Sequence, residues 1–284
     1  MSRKKVTILD IQKRKENNIP ITMITAYDFT AAILVDQTDT DMILVGDSLG
    51  MVMLGYPCTA QVTMDEMLHH CKAVARGTSA AFLVGDMPFM SYQADVAEAV
   101  RNAGRFLKEA GMDCVKVEGG KEIANTVRAI VQAGIPVMSH IGLTPQTVSQ
   151  LGGYRIQGKT AVSAQALLED AQMLQKAGCF AIVLEAVPAA VAATISKRLH
   201  IPTIGIGAGA GCNGQVLVYH DLLGLYDRLQ PRFVKEYAQI GEAIKTAVQT
   251  YTQEVRNRQF PAEEHTYPMD EEEESAFLSA VAGR

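Results

Sequence analysis

The stretches MILVGDSLG (42–50) and AFLVGDMPF (81–89) both carry LVGD, a run apolar enough for a buried strand that nevertheless finishes on an aspartate. Six further runs share that apolar character: ITMITAY (21–27), CVKVEGG (114–120), IPVMSHI (135–141), FAIVLEA (180–186), IPTIGIG (201–207) and QVLVYHD (215–221). Longer segments with helical periodicity separate them, the pattern of βαβ units around a parallel sheet. Eight such units close a (β/α)8 barrel.

The intervening segments carry helix signals. Thr63 and Glu66 form a T-x-x-E capping box, and Val96, Val100, Ala103, Leu107 and Ala110 fall on one helical stripe, as do Ile123, Val127, Ile130 and Val131 further on. Gly111, Gly134 and Gly178 read as C-caps where the chain turns left-handed before a strand. One strand length beyond them stand Glu118, His140 and Glu185. In a barrel that is the C-terminal rim, where the βα loops build the site.

The first twenty residues are expected to cap the bottom of the barrel. Residues 144–162 lack a period and are long for a connection, so they read as a functional loop or lid. Ile240, Ile244, Val248, Tyr251 and Val255 mark a long closing C-terminal helix, and beyond Phe260 the chain is acidic with few anchors. The expected division is a barrel domain over 1–262 and a flexible tail over 263–284.

Composition excludes several classes of function. Twenty-six Lys and Arg against 31 Asp and Glu give a formal charge of -5, with no basic stripe for a nucleic acid. No run approaches the roughly 18 apolar residues of a membrane span, and the N-terminus lacks the apolar core of a secretory signal. Five cysteines without CxxC spacing read as reduced thiols. A cytoplasmic protein acting on small molecules is the simplest expectation.

An aspartate after a strand is commonly a turn former or N-cap. Two of them on neighbouring strands alter that balance. Strand alternation puts Asp47 on the face of Val45 and Asp86 on that of Val84, so both carboxylates are expected over the barrel mouth. Carboxylates brought that close repel unless a cation sits between them, and an all-oxygen set suits magnesium rather than zinc. Lys116 and Glu118 share one face of their run. They form either a buried ion pair plugging the barrel or a cation for an anionic substrate beside a residue that reaches the metal directly or through water. Glu185, after purely apolar residues, is either a cap before Pro188 or a general base with a raised pKa. His140 is either structural or part of the pocket. GIGAGAGCNG (205–214) has the wrong context for a dinucleotide site, because a strand follows it; its glycines are expected to let backbone approach closely.

Taken together, TAYD (25–28), LVGDS (44–48), MPF (87–89), VKVEGG (115–120), HIGLTPQ (140–146), GGYRIQGK (152–159), LEAVP (184–188), GIGAG (205–209) and FPAEEH (260–265) resemble, in order, the motifs of the 3-methyl-2-oxobutanoate hydroxymethyltransferase family. The resemblance implies a phosphoenolpyruvate/pyruvate-type TIM barrel. Asp47 and Asp86 become magnesium ligands with Glu118 in the outer shell, Ser48 and Lys116 hold the substrate, His140 lines the pocket and Glu185 is the catalytic base. It implies an α-keto acid substrate, 5,10-methylenetetrahydrofolate as cosubstrate, and a homodecamer of stacked pentamers. On this reading Asp86 serves the metal alone. Ser139 and Asn213 depart from the family pattern, near His140 and on the folate side respectively. The competing readings are a phosphoenolpyruvate mutase or isocitrate lyase type of barrel, and a catalytically silent scaffold.

Overall fold

The computed structural model describes residues 3–226, 228 and 231–283. The chain opens with α1 (Ile8–Glu16), β1 (Ile21–Thr25), α2 (Phe29–Asp36), β2 (Met42–Val45), α3 (Leu49–Val52) and α4 (Met64–Gly77). It continues through β3 (Phe82–Asp86), α5 (Val96–Ala110), β4 (Cys114–Glu118), α6 (Ala124–Gln132), β5 (Val137–Gly142) and α7 (Ala161–Ala177). Then follow β6 (Ala181–Glu185), α8 (Ala189–Arg198), β7 (Thr203–Ile206), β8 (Gly214–Leu217) and α9 (Tyr219–Leu222), with α10 (Ile240–Arg256) and α11 (Glu271–Ala282) at the end. The eight parallel strands run in sequence order around a closed barrel, β8 pairing back onto β1, as the eight apolar runs predict.

Local chemistry sets the helix ends. Thr63 and Glu66 form the expected reciprocal capping box on α4. Gly111 and Gly178 cap α5 and α7 in the left-handed conformation, with φ of 68° and 107°. Alternation along the strands divides the apolar residues in two. Ile43, Val45, Leu83, Val115 and Val117 pack outward under the helices, whereas Met23, Met42, Leu44, Phe82, Val84 and Met138 fill the barrel. Ile11 of α1, fully buried, joins the inner set from below, and Lys15 donates to Ser196 O and Asn213 Oδ1, so the N-terminal segment does cap the bottom.

The two LVGD copies are not equivalent in register. Leu44 pairs with Val84 and Val45 with Gly85, an offset of one residue, so Val84 faces inward while Val45 faces the helices. A one-residue slip exchanges the faces of a strand. Alternation therefore carries Asp86 into the barrel but would carry Asp47 away from it. The expectation for Asp47 was right in destination and wrong in cause: β2 ends at Val45, and a turn over Asp47 and Ser48, closed by Leu49 N–H donating to Gly46 O, redirects the side chain.

The chain falls into two compact units, 1–237 and 238–284. The second contains α10, whose apolar positions Ile240, Ile244, Val248, Tyr251 and Val255 are all exposed, and α11, which is exposed throughout. Asp270 caps α11, and four glutamates occupy its first turn, where the helix dipole favours negative charge. Among the described residues, no helix is long and apolar enough to cross a membrane.

Candidate active site

The C-terminal ends of the strands surround a cavity of about 670 Å³ in the first unit. Its lining includes every residue singled out from sequence: Asp47, Ser48, Asp86, Lys116, Glu118, His140 and Glu185. Asp86, Lys116 and Glu118 reach it by strand alternation, His140 and Glu185 likewise from β5 and β6.

Asp47, Asp86 and Glu118 are buried, and one carboxylate oxygen of each lies within 4.8 Å of the others. The Asp47 backbone N–H donates to Asp86 Oδ2 at 3.1 Å, which locks the turn after β2 to the end of β3. Lys116 Nζ donates to Asp86 Oδ1 at 2.6 Å and approaches Glu118 Oε1 at 3.4 Å. Asp86 therefore anchors both the lysine and the neighbouring turn, contacts that the expectation of a metal role alone did not include. Two of the three ammonium N–H groups are used in this way, leaving one for an oxygen in the cavity.

The charges respond to burial and to one another. Burial, reinforced by Asp86 and Glu118, pushes the Asp47 carboxyl well above its usual range. Burial also raises Asp86, against the pull of Lys116. For Glu118, burial works against the charge, but Lys116 and His140 outweigh it and hold the carboxyl down at about 2. Burial likewise opposes the His140 imidazolium, yet its contacts with Glu118 and Glu185 lift it to about 9. Lys116 is raised because its acidic neighbours overcome desolvation.

His140 bridges two parts of the site. Its Nδ1 lies 3.1 Å from Glu118 Oε1, and its Nε2 lies 3.3 Å from Glu185 Oε2 without the alignment of a hydrogen bond. Glu185, at the end of β6, is partly exposed to the cavity rather than packed under a helix. The β5 and β6 ends meet closely here: Leu143 N–H donates to Glu185 O, and a Cβ on Gly142 would stand 2.3 Å from that oxygen. Gly142 also has φ +97°, so only glycine fits at this point. Ser48 Oγ pairs with the buried Tyr27 hydroxyl at 2.8 Å, and desolvation raises the Tyr27 pKa so that it stays protonated.

Sequence reasoning gave no role to Gln146 or Tyr92. Gln146 Nε2 donates to Asp47 Oδ2 and Met87 O, both at 2.9 Å, and its backbone N–H donates to Glu118 Oε2 at 3.0 Å. The Tyr92 hydroxyl accepts from Glu118 N–H and lies 2.7 Å from Gln146 Oε1. Gln146 thus ties the start of the 144–162 loop to two of the three clustered acids. HIGLTPQ ends on this residue, but no local pattern distinguishes its amide from a surface glutamine. Tyr154, Arg155 and Ile156 of the same loop also line the cavity.

The two departures lie away from the chemistry. Ser139 faces outward, with Oγ 3.3 Å from Gly119 O. Asn213 was expected on the folate side of the site. It lies instead at the bottom of the barrel, where Oδ1 accepts from Lys15 Nζ and Thr203 N–H. The reason is topological: residue 213 precedes β8, and only segments that follow strands reach the mouth.

Among solved structures, the fold is similar to phosphonopyruvate hydrolase in complex with oxalate and Mg++, with a TM-score of 0.60 at 13% identity, covering 98% of this chain and 99% of that one. It is also similar to 2,3-dimethylmalate lyase, a member of the PEP mutase/isocitrate lyase superfamily (TM-score 0.58, 13% identity, 97% and 98% coverage). At such identities the likeness shows the fold alone. Sequence relatives are much nearer. The 3-methyl-2-oxobutanoate hydroxymethyltransferase of Heliobacterium modesticaldum is 58% identical over 269 residues, covering 95% of this chain and 98% of that protein. The enzyme of the same name from Carboxydothermus hydrogenoformans is 57% identical over 265 residues, covering 93% and 96%. Residues 5–263 match the ketopantoate hydroxymethyltransferase family as a whole, and the chain belongs to that family.

Proposed function

We propose that the protein transfers a hydroxymethyl group from 5,10-methylenetetrahydrofolate to 3-methyl-2-oxobutanoate, forming 2-dehydropantoate in pantothenate biosynthesis, with magnesium held by Asp47 and Asp86 and assisted by Glu118. The observation that carries this reading is the convergence of three buried carboxylates, one lysine and one separate carboxylate on a single cavity in a chain of this family. The acids fit a hard cation. All three offer oxygen, and Asp47 and Asp86 are held above their normal pKa by burial among like charges, a cost that a divalent ion relieves. When bound, magnesium supplies Lewis acidity to the keto oxygen and so acidifies the neighbouring C–H.

The chain's own groups account for the remaining chemistry. Glu185 takes the C3 proton of the keto acid, and His140 at its side fixes its position and compensates its charge. The unused N–H of Lys116 points positive charge at the oxygen where enolate charge develops. With the Tyr27 hydroxyl as donor in its 2.8 Å contact to Ser48 Oγ, Ser48 keeps its own hydroxyl proton for the substrate carboxylate. The enolate carbon forms a bond to the donor's methylene carbon as the first of its two carbon–nitrogen bonds breaks. Water then replaces the second nitrogen and leaves the hydroxyl, and the C3 proton taken by Glu185 together with one proton of the water end on the two nitrogens of tetrahydrofolate. The exposed apolar stripe of α10 supports burial against further copies of the chain in the decamer that the family implies, and five free cysteines support a cytoplasmic setting.

The test is proton exchange. In heavy water with 3-methyl-2-oxobutanoate and magnesium, NMR is expected to show loss of the C3 proton signal that requires the metal and disappears in Glu185→Gln. Exchange that persists in the variant would remove Glu185 as the base; no exchange in the wild type, with or without tetrahydrofolate, would remove the enolate mechanism.

A further inference from the structure

The residues that act on the keto acid all come from the ends of β2 to β6. A cavity of about 670 Å³ lies in the range that takes drug-sized ligands, and a small branched keto acid fills only part of it. The rest of the wall comes from β7, β8 and the segments after them: Ile206, Gly207, Val216, Val218, Asp221 and Phe233. It is largely apolar, with the Asp221 carboxyl, the Tyr226 phenol and the Arg232 guanidinium as its polar groups. Gly207, at φ +63°, lets the Phe233 ring come close, since a Cβ there would stand 2.6 Å from it.

Among the described residues, the side chain of Asp221 has no cation and no hydrogen-bond donor, although it is partly buried on α9. The adjacent His220 supplies no countercharge, because burial lowers its pKa and keeps it neutral. Desolvation pushes the Asp221 carboxyl up to about 6. The anionic keto acid is the wrong partner for this group, since like charges repel. The complementary ligand is flat and uncharged on its faces, with adjacent N–H donors along one edge. A carboxylate accepts such a pair in parallel, and hydrogen bonds of this charge-assisted kind are the stronger ones.

We propose that the β7–β8 wall seats the pterin ring of the one-carbon donor, with the Asp221 carboxylate accepting from its N3–H and 2-amino groups. This rests on the function proposed above and assigns the half of the cavity which that function leaves unused. The arrangement separates the two ligands by charge: the keto acid goes to the metal and Lys116, the donor-rich heterocycle to an acid without a partner.

The experiment measures two readouts on Asp221→Asn and Asp221→Ala. Calorimetric titration with tetrahydrofolate, in the presence of magnesium and keto acid, reads pterin binding; deuterium exchange at C3 without folate reads the keto acid side and the integrity of the fold. The asparagine variant keeps the shape but presents an NH₂ where an acceptor is needed. The expected result is at least a tenfold rise in Kd for tetrahydrofolate in both variants, with exchange within twofold of wild type. A Kd within threefold of wild type in both would overturn the assignment, as would exchange that falls in step with binding. Absence of exchange in the wild type itself would overturn the underlying function, and the assignment with it.

Discussion

Replacing Lys116 by methionine keeps the apolar stem and removes the only ammonium in contact with Asp86 and Glu118 among the described residues. At 2.6 and 3.4 Å, and with an effective dielectric of about 20, its attraction to the two carboxylates is about 6 and about 5 kcal/mol. Desolvation of the ammonium offsets several kcal/mol of this, and breaking a buried pair by deleting one partner costs about 3–5 kcal/mol. The carboxylates can limit that loss by taking up a proton. Such uptake makes the folded variant bind about one proton more than the unfolded chain, so its stability falls by about 1.4 kcal/mol per pH unit above neutrality relative to wild type. A divalent cation does what the lysine did and recovers about 2.7 kcal/mol at a hundred times its Kd. The chain has no tryptophan, so the assay is urea unfolding followed by far-UV circular dichroism at pH 6, 7 and 8, with EDTA or with magnesium. The account fails if Lys116→Met loses under about 1 kcal/mol in EDTA, if the loss does not grow with pH, or if magnesium restores nothing.

Gln146→Leu removes the amide that holds Asp47 and Met87 O while sparing the cavity wall. Outer partners of metal ligands are worth about 10- to 100-fold in affinity, so the magnesium concentration for half-maximal C3 exchange is expected to rise by that factor, with exchange recovered at saturating metal. In metal-free protein the His140 pKa of about 9 lies above its unfolded value of 6.5. The stability it contributes is therefore fully present below pH 6.5 and is lost as pH rises through 9. Wild type and His140→Gln, compared by unfolding in EDTA at pH 6 and pH 9.5, should differ more at the lower pH; an equal difference at both would contradict the imidazolium.

The barrel was legible in the sequence because most of its strands are buried on both faces and so appear as short, largely apolar runs. The helix ends were legible because caps are local: Thr63 with Glu66, and Gly111 and Gly178, act within a few residues of themselves. Candidate site residues stood out as charges at the ends of such runs. Gln146 did not, since an amide becomes informative only when a distant Asp47 and Glu118 are seen to use it. Asp221 was given no role although it ends the run 215–221, because only the structure shows that β8 stops at Leu217 and that the aspartate stands on α9 facing the cavity.

What the sequence determined by itself was the number of strands, the rim on which their ionisable ends appear, and the family, since all of these are written in short-range patterns. Register and encirclement belonged to the tertiary structure. Two identical LVGD segments pack one residue out of step, so the same four letters face opposite ways, and Asp47 returns to the site only through the turn that follows Gly46. The separation of the cavity into a charged wall and a largely apolar wall that carries Asp221 appears only after β8 has closed on β1. A side chain's direction depends on which neighbour its strand pairs with, and pairing is set by the packing of the whole barrel.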